Sequence, residues 1–308
     1  MRKIPTHPPG GDGGRRSSKY NRSQTREKDN FLRLLHKLCQ TVVGELPAIR
    51  RPRLPLRDVL FCLIYKVYVN SNSRNLEYDL EHLQKEGFIS RVPHFNSLPN
   101  YMRNTGITPY LDRFVGVSAL ALRDVETDFA VDSTKLLQPR CYDRVDPKTK
   151  RKSRPPDRVK LHLLCGTETR VVAAARVSSV FDSDPQHFGP LFERALDLGF
   201  NIQIIRADKG YWSPARLCYI RGRGVVPVIT PKQRGRRKKA PAAGQADEGR
   251  RRNQVETVNF MIAAKFGKKL RSVSRVGQVN EALCKVICHN LRVLNLEAHQ
   301  RGMEVRFP

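Results

Sequence analysis

The sequence predicts an α/β protein in which a mixed five-stranded sheet, flanked by helices, follows an all-helical N-terminal region. The first observation is that apolar residues up to about residue 124 recur at helical spacing, with no strand pattern. The second is a change to short β-branched and alternating runs after residue 125. Three of these runs follow one another directly and two more alternate with helices, which predicts a sheet with both parallel and antiparallel strands.

The N-terminal part divides into a tail and a helical region. Residues 1–30 are rich in Gly, Pro, Ser and Arg and lack apolar periodicity, so they are predicted to form a disordered basic tail. Residues 31–124 form the helical region. Its predicted helices span residues 31–46, 56–70, 76–87, 97–103 and 110–123.

The second unit spans residues 125–297 and contains the sheet. Its predicted strands are residues 128–131, 158–165, 169–180, 201–206 and 224–229. Asp184-Pro185 and Ser213-Pro214 mark the starts of two helices between strands, because a capping side chain before proline favours a helix N-terminus. A basic flexible linker at 231–249 precedes closing helices at 250–267 and 280–296, and a tail follows at 298–308.

The charge of the chain points to a polyanionic partner. Fifty-seven basic residues face 29 acidic ones, giving a net charge of +28, and the first thirty residues hold only eight basic and three acidic side chains. Most of the positive charge therefore belongs to the folded body. Nucleic acid is the default partner of a protein surface with such a charge. A ribosomal-type structural protein or a merely solvated basic surface are the alternatives.

Two basic runs are predicted to contact DNA phosphates, which gives affinity without sequence information. The first lies within residues 144–160 and the second within 232–239. The predicted contacts are Lys150, Arg151, Lys152, Arg154, Lys232, Arg234, Arg236, Arg237, Lys238 and Lys239. Mobile, solvated loops are the alternative interpretation of both runs. Sequence recognition is expected from the helical region, because a helix can enter a major groove.

Composition argues against membrane and secreted classes. No stretch reaches the eighteen apolar residues of a membrane helix, and the N-terminus lacks the apolar segment of a secretory signal. Seven cysteines without framework spacing suit a reducing cytosol. Cys284, Cys288 and His289 lack a second ligand pair, so buried core thiols are favoured over a zinc site.

Two aspartates follow predicted strands. Asp132 comes after residues 129–131 and Asp208 after residues 204–207. At the carboxyl ends of parallel neighbours, such side chains would share a crevice. An acid that ends a strand can also serve only as a turn former or helix cap.

A third acid is predicted on a helix. Glu256 lies four residues after Arg252, which places both on one helical face. A surface ion pair is the alternative. The apolar neighbours Val255 and Val258 favour a helix packed on the sheet.

Several segments resemble consecutive blocks of insertion-sequence DDE transposases of the cut-and-paste type, in the family's order across residues 125–296. The blocks are Phe-Ala-Val-Asp-Ser-Thr at 129–134, Val-Lys-Leu-His-Leu at 159–163, Ala-Asp-Lys-Gly-Tyr at 207–211, Arg-x3-Glu at 252–256, Lys-Phe-Gly at 265–267 and Lys-Val-Ile-Cys-His-Asn-Leu at 285–291. The resemblance implies an RNase H-like catalytic domain. It also implies that Asp132, Asp208 and Glu256 are the catalytic, metal-binding acids, with Arg252 in support. The family's tyrosine and lysine near the glutamate are Gly249 and Ala263 here.

The same resemblance implies a reaction. Two Mg²⁺ or Mn²⁺ ions per active site serve cleavage at transposon ends and attack of the freed 3′-hydroxyl on target DNA. The implied partners are double-stranded DNA, as terminal inverted repeats and target, and a second copy of the chain in a homodimer. The implied location is the cytoplasm, at the nucleoid when DNA is bound. The alternatives are an inactive or domesticated DNA-binding derivative, an RNase H-like nuclease without strand transfer, and a basic ribonucleoprotein component.

Overall fold

A computed structural model of the chain describes residues 20–42, 54–139, 144–145, 152–153, 158–231 and 253–308. The sheet strands are β1 Asp128–Leu137, β4 Arg158–Gly166, β5 Val172–Ser179, β6 Ile204–Ala207 and β7 Val226–Ile229, and a separate two-residue pair comprises β2 Arg144–Val145 and β3 Lys152–Ser153. The helices are α1 Glu27–Gln40, α2 Leu56–Tyr68, α3 Leu76–Lys85, α4 Ser97–Met102, α5 Thr108–Val117, α6 Phe188–Asp197, α7 Pro214–Gly222, α8 Gln254–Phe266 and α9 Arg275–Arg301.

The five long strands form one mixed sheet in the order β5-β4-β1-β6-β7. Strand β1 is central, antiparallel to β4 and parallel to β6, and β7 continues the parallel side. The chain reverses directly from β4 to β5, so these two strands are antiparallel, as are β1 and β4. A helical crossover precedes β6 and another precedes β7, which makes these two strands parallel to their neighbours. This confirms the predicted mixed five-stranded sheet.

The helical region packs against the last helix of the chain. The longest helix, α9, contacts α1, α2, α4 and α5 on one side and β5 on another, and one continuous hydrophobic core includes all of these elements. Most of α9 is buried, including Cys284, Cys288 and His289, so the predicted core role of these side chains is confirmed.

Polar side chains of residues 285–291 in α9 form hydrogen bonds to other elements of the fold. Lys285 donates to two carbonyls of the loop before α9, and the Cys288 thiol donates to the carbonyl of Ile64 in α2. The His289 ring contacts the carbonyl of Arg170 at 2.9 Å. Asn290 bridges α5 and β5. This block therefore joins the two parts of the chain.

Both predicted tails are wrong in part. Residues 20–25 are already helical and α1 begins at Glu27, because Ser23 and Glu27 are buried and bond to Asn295 and Arg292 of α9. At the other end α9 runs on to Arg301 and Val305 is buried. Composition gave no sign of either contact, since both depend on side chains distant in sequence.

Other boundaries moved less. The predicted caps of the two crossover helices differ in outcome. The Ser213 hydroxyl accepts a hydrogen bond from the amide of Arg216, as predicted for a helix N-cap. Asp184 instead lies inside a short 3-10 turn that precedes α6, and its side chain points to other partners. No helix in the described part of the chain is long and apolar enough to cross a membrane.

Candidate active site

Asp132 and Asp208 lie on adjacent parallel strands. The register pairs Val131 of β1 with Ala207 of β6, and each aspartate is the next residue in the chain, Asp132 within β1 and Asp208 directly after β6. The prediction that Asp132 ends its strand is wrong, because β1 continues to Leu137 through its pairing with β4. The parallel neighbour β6 does end at Ala207, so the crevice opens beside Asp132 in the middle of β1.

A buried ion pair fixes the register of these two strands. Arg206 of β6 donates two hydrogen bonds of 2.8 and 2.9 Å to the two carboxylate oxygens of Asp128 in β1. Such a bidentate pair holds a defined geometry as well as a charge contact. The two strands therefore present Asp132 and Asp208 side by side.

Glu256 comes from the first turn of α8. The helix packs on β1 and β4 through its buried face, which includes Val255 and Val258. Its start is held where the Arg170 guanidinium donates a 2.8 Å hydrogen bond to the side chain of Gln254. Glu256 itself is exposed. The packed-helix interpretation is confirmed for α8.

The electrostatics of Asp132 show which acids surround it. Burial raises the pKa of the Asp132 carboxyl, and the charges of Glu256, Asp184 and Asp208 add to the shift, so that the pKa is about 6 despite a backbone hydrogen bond at Ser133. Each of these acids is therefore close enough to repel a charge on Asp132. Besides the predicted Glu256 and Asp208, a fourth acid, Asp184, therefore acts on the charge of Asp132.

Sequence reasoning missed this fourth acid, Asp184. Lys160 donates to its carboxylate at 2.8 Å, and Ser133, the neighbour of Asp132, also bonds to it. Burial alone would raise the pKa of Asp184, but these hydrogen bonds lower it below its usual value. The only signal in the sequence was Asp184-Pro185, which equally indicates a helix start.

His162 lies beneath this acid on the same face of the sheet. It is fully buried, its Nε2 is 2.8 Å from the Ser178 hydroxyl, and its ring lies 4.1 Å from that of His187. Burial, to which the charge of His187 adds, lowers the pKa of His162 to about 4. The expected structural role of His162 agrees with this neutral, packed ring.

Tyr211 closes the turn after Asp208. Its backbone amide donates to the carbonyl of Asp208 at 2.9 Å, and Arg216 binds both its carbonyl and that of Pro185. The hydroxyl is buried and has no hydrogen-bond partner among the described residues. Burial raises the pKa of Tyr211, and the charges of Asp184 and Asp132 add to it, so the hydroxyl stays a proton donor beside the acids.

Comparison with known families identifies the family of a chain that carries this acid cluster, Asp132, Asp184, Asp208 and Glu256. A family model described as "Transposase DDE domain" matches residues 124–291, more than half of the chain and all five strands of the sheet. The chain belongs to the DDE transposase family. It is a DNA transposase, an enzyme that cleaves DNA and transfers strands, as the resemblance of its sequence blocks implied.

Two solved transposases are similar in structure at low sequence identity. One is a cryo-EM structure of the piggyBac transposase synaptic complex with hairpin DNA, with a TM-score of 0.45, 10% identity, and coverage of 90% of this chain and 74% of that one. The other is the Drosophila P element transposase strand transfer complex, with a TM-score of 0.28, 16% identity, and coverage of 57% and 37%. Both scores are too low to support an argument about this transposase. No curated protein matches the chain.

The acids of this transposase fit the divalent ions that DDE domains generally use. Carboxylate oxygens are the ligands that Mg²⁺ and Mn²⁺ prefer, and a cation would offset the repulsion that raises the pKa of Asp132. Among the described residues, no three acid, His or Cys side chains are already placed so that they could hold a metal ion together.

The predicted DNA contacts fall mostly outside the described residues. This applies to Lys150, Arg151, Arg154, Lys232, Arg234, Arg236, Arg237, Lys238 and Lys239, and to the supporting residue Arg252. Lys152 is described and lies in β3, which pairs with β2. These roles remain predictions.

Proposed function

We propose that this transposase cleaves DNA at transposon ends and joins the freed 3′-hydroxyl to target DNA with Asp132, Asp208 and Glu256 as its catalytic, metal-binding acids. The observation that supports it is the parallel pairing of β1 with β6, which sets Asp132 beside Asp208. The charge of Glu256 contributes to the raised pKa of Asp132, which supports Glu256 as the third acid.

The acids would hold two Mg²⁺ or Mn²⁺ ions. When bound, such a pair lowers the pKa of an attacking water and stabilises charge on the attacked phosphate and the leaving oxygen. The side chains orient this chemistry from rigid elements. Asp132 is held in the sheet and Glu256 on a helix packed against it, while Asp208 begins the turn that Tyr211 and Arg216 fix.

The remaining assignments concern DNA and assembly. The helical region, residues 31–124, would recognise the sequence of the terminal inverted repeats. The two basic runs would bind DNA phosphates, and both roles are separate from the chemistry of the acids in the sheet. Arg252 would support Glu256 one turn earlier on the same helical face. We further propose that the transposase acts as a homodimer on paired ends, in the cytoplasm and at the nucleoid.

The test is a cleavage and joining assay on labelled DNA that carries the ends of the chain's own element. Asp132→Asn, Asp208→Asn and Glu256→Gln remove one charge each and nearly preserve side-chain volume. Each is expected to reduce both cleaved ends and joined products to background with Mg²⁺ or Mn²⁺, while DNA binding persists. Asp124→Asn is the matched control, because Asp124 is highly exposed and outside the cluster.

The outcomes separate the alternatives. Full activity in any one of the three variants contradicts the role of that acid. Cleavage without joined products in the wild type identifies a nuclease without strand transfer. DNA binding without cleavage identifies a domesticated or inactive derivative.

A further inference from the structure

A cavity of about 250 Å³ lies where the helical region meets the last two helices, away from the acid cluster. Side chains from α2, α4, α8, α9 and the loop between α8 and α9 line it. Its volume is slightly below the roughly 300–1,000 Å³ typical of small-molecule pockets. It could therefore take a group as small as one nucleotide.

One wall of the cavity is held rigidly. The carboxylate of Glu281 accepts hydrogen bonds of 2.8–3.0 Å from the backbone amides of Arg271 and Ser272. Lys285 donates to the carbonyls of Gly267 and Lys269 at 2.7 and 3.0 Å. The charges of Glu281 and Lys285 are thus engaged by the loop backbone, and the loop is fixed without a ligand.

Three further cations line the cavity and are less engaged. Lys66 is half-buried in α2, and its side chain has no hydrogen-bond acceptor among the described residues. Arg103 is exposed at the end of α4, and Arg271 donates one hydrogen bond of 2.5 Å to the carbonyl of Asn70. Burial lowers the pKa of Lys66, with Glu281 opposing the shift, so an anion beside it would favour the charged amine.

The negative C-terminal ends of two helices offset only part of the positive charge of these three side chains. Lys66 lies in the last turn of α2 and Arg103 caps α4, and each helix C-terminus contributes about half a negative charge. Three guanidinium and ammonium groups exceed what two such ends offset. The cavity therefore remains positive.

Apolar side chains form part of the cavity wall. Met102 and Phe266 are buried there, and Val273 is 60% exposed at the edge, so the cavity is reached from solvent. An inorganic anion would leave this wall unused, whereas a nucleotide carries a flat apolar face as well as a phosphate. A nucleotide would therefore contact both the cationic and the apolar side chains of the cavity.

We propose that this cavity binds one phosphate-bearing nucleotide unit, with its phosphate against Lys66, Arg103 and Arg271 and its sugar or base against the apolar wall. The unit belongs either to bound DNA or to a free nucleotide. The first source rests on the proposed function, since it requires that the chain hold DNA. The site would link the helical region to the helix that carries Glu256, because Phe266 ends that same helix.

The experiment compares full-length Lys66→Gln and Val273→Trp with the wild type. Duplex DNA binding is measured by fluorescence anisotropy across a salt series, and binding of 2′-deoxyadenosine 5′-monophosphate by calorimetry. Loss of one phosphate contact is expected to reduce the slope of log K against log salt by about 0.9 in Lys66→Gln, with about tenfold weaker binding. Val273→Trp fills the entrance without a charge change and should weaken binding with the slope reduced similarly.

Arg221→Gln is the matched control, because it removes one exposed positive charge outside the cavity, the helical region and the two basic runs. It should leave both ligands unaffected. Thermal unfolding verifies that each variant folds. If Lys66→Gln does not fold, Lys66→Met replaces it, because methionine keeps an apolar stem of similar length without the charge.

The pattern of results separates the sources and the two proposals. A change for duplex DNA identifies a backbone nucleotide, and a change for the mononucleotide alone identifies a free one. If the wild type binds DNA or mononucleotide and neither cavity variant alters either, the cavity proposal is overturned and DNA binding stands. If only the mononucleotide binds, through Lys66, the proposed DNA function fails and the cavity proposal survives.

Discussion

Arg206 and Asp128 form a bidentate ion pair between the two strands that lead to Asp208 and Asp132. The pair crosses from β6 to β1, and the two residues are 6% and 8% exposed. Burying two charges costs several kcal/mol, and their attraction offsets that cost only when the geometry is good. The pair is thus a constraint on register at least as much as a source of stability.

Removing one partner should destabilise the fold strongly. Asp128→Ala leaves the Arg206 guanidinium buried without its carboxylate, so the free energy of unfolding is expected to fall by about 3–5 kcal/mol. The double variant Asp128→Leu with Arg206→Met removes both charges and should recover most of that loss. Chemical denaturation measures both. A double variant as unstable as the single one would contradict this account of the pair.

Asp132 makes stability depend on pH. Its folded-state pKa of about 6 is above the ordinary value of 3.8, so the native state disfavours the ionised form. The resulting cost is absent below about pH 4, grows between pH 4 and 6, and is complete above pH 6. Asp132→Asn should therefore raise the free energy of unfolding at pH 8, by about 1–2 kcal/mol after allowance for partial exposure, and change little near pH 4.

This measurement requires a chelator, because a divalent ion at the acids would remove the same repulsion. Mg²⁺ added at pH 8 is expected to raise the melting temperature of the wild type more than that of Asp132→Asn. Asp124→Asn should show neither effect, since Asp124 is exposed. An equal gain from Asp132→Asn at pH 4 and pH 8 would show that burial of this charge is not the cause.

Asn290 is expected to be a stability residue without a catalytic role. Its buried amide donates to the Val115 carbonyl, the Ser118 hydroxyl and the Val172 carbonyl at 2.8–3.1 Å, and its oxygen accepts from the Val172 amide at 2.9 Å. Asn290→Ala leaves these groups unsatisfied and should cost about 3 kcal/mol in the free energy of unfolding.

The exposed Asn201 provides the control for that variant. Asn201→Ala should change the free energy of unfolding by less than about 0.5 kcal/mol. If Asn290→Ala unfolds as the wild type does but loses DNA cleavage, the residue has a functional role that its hydrogen bonds do not explain.

The predictions from sequence succeeded where local pattern and physical constraint coincide. Alternating and β-branched runs located all five strands of the sheet, and Ser213 was identified as a cap from its own side chain and the proline after it. Strand β1 was predicted too short, because its residues past Asp132 extend through pairing with β4, which is distant in sequence. The same limit hid the helical residues 20–30, whose burial depends on α9.

The sequence by itself determined the fold class, the basic surface and the three candidate acids, because periodicity, charge and ordered blocks are properties of the chain. Only the tertiary structure decided that Asp132 lies in mid-strand, that Asp184 and Tyr211 share its surroundings, and that a positive cavity joins the two parts. These features arise from side chains brought together across large separations in sequence. Local pattern carries no information about such pairs, since long-range packing alone sets their distances and their burial.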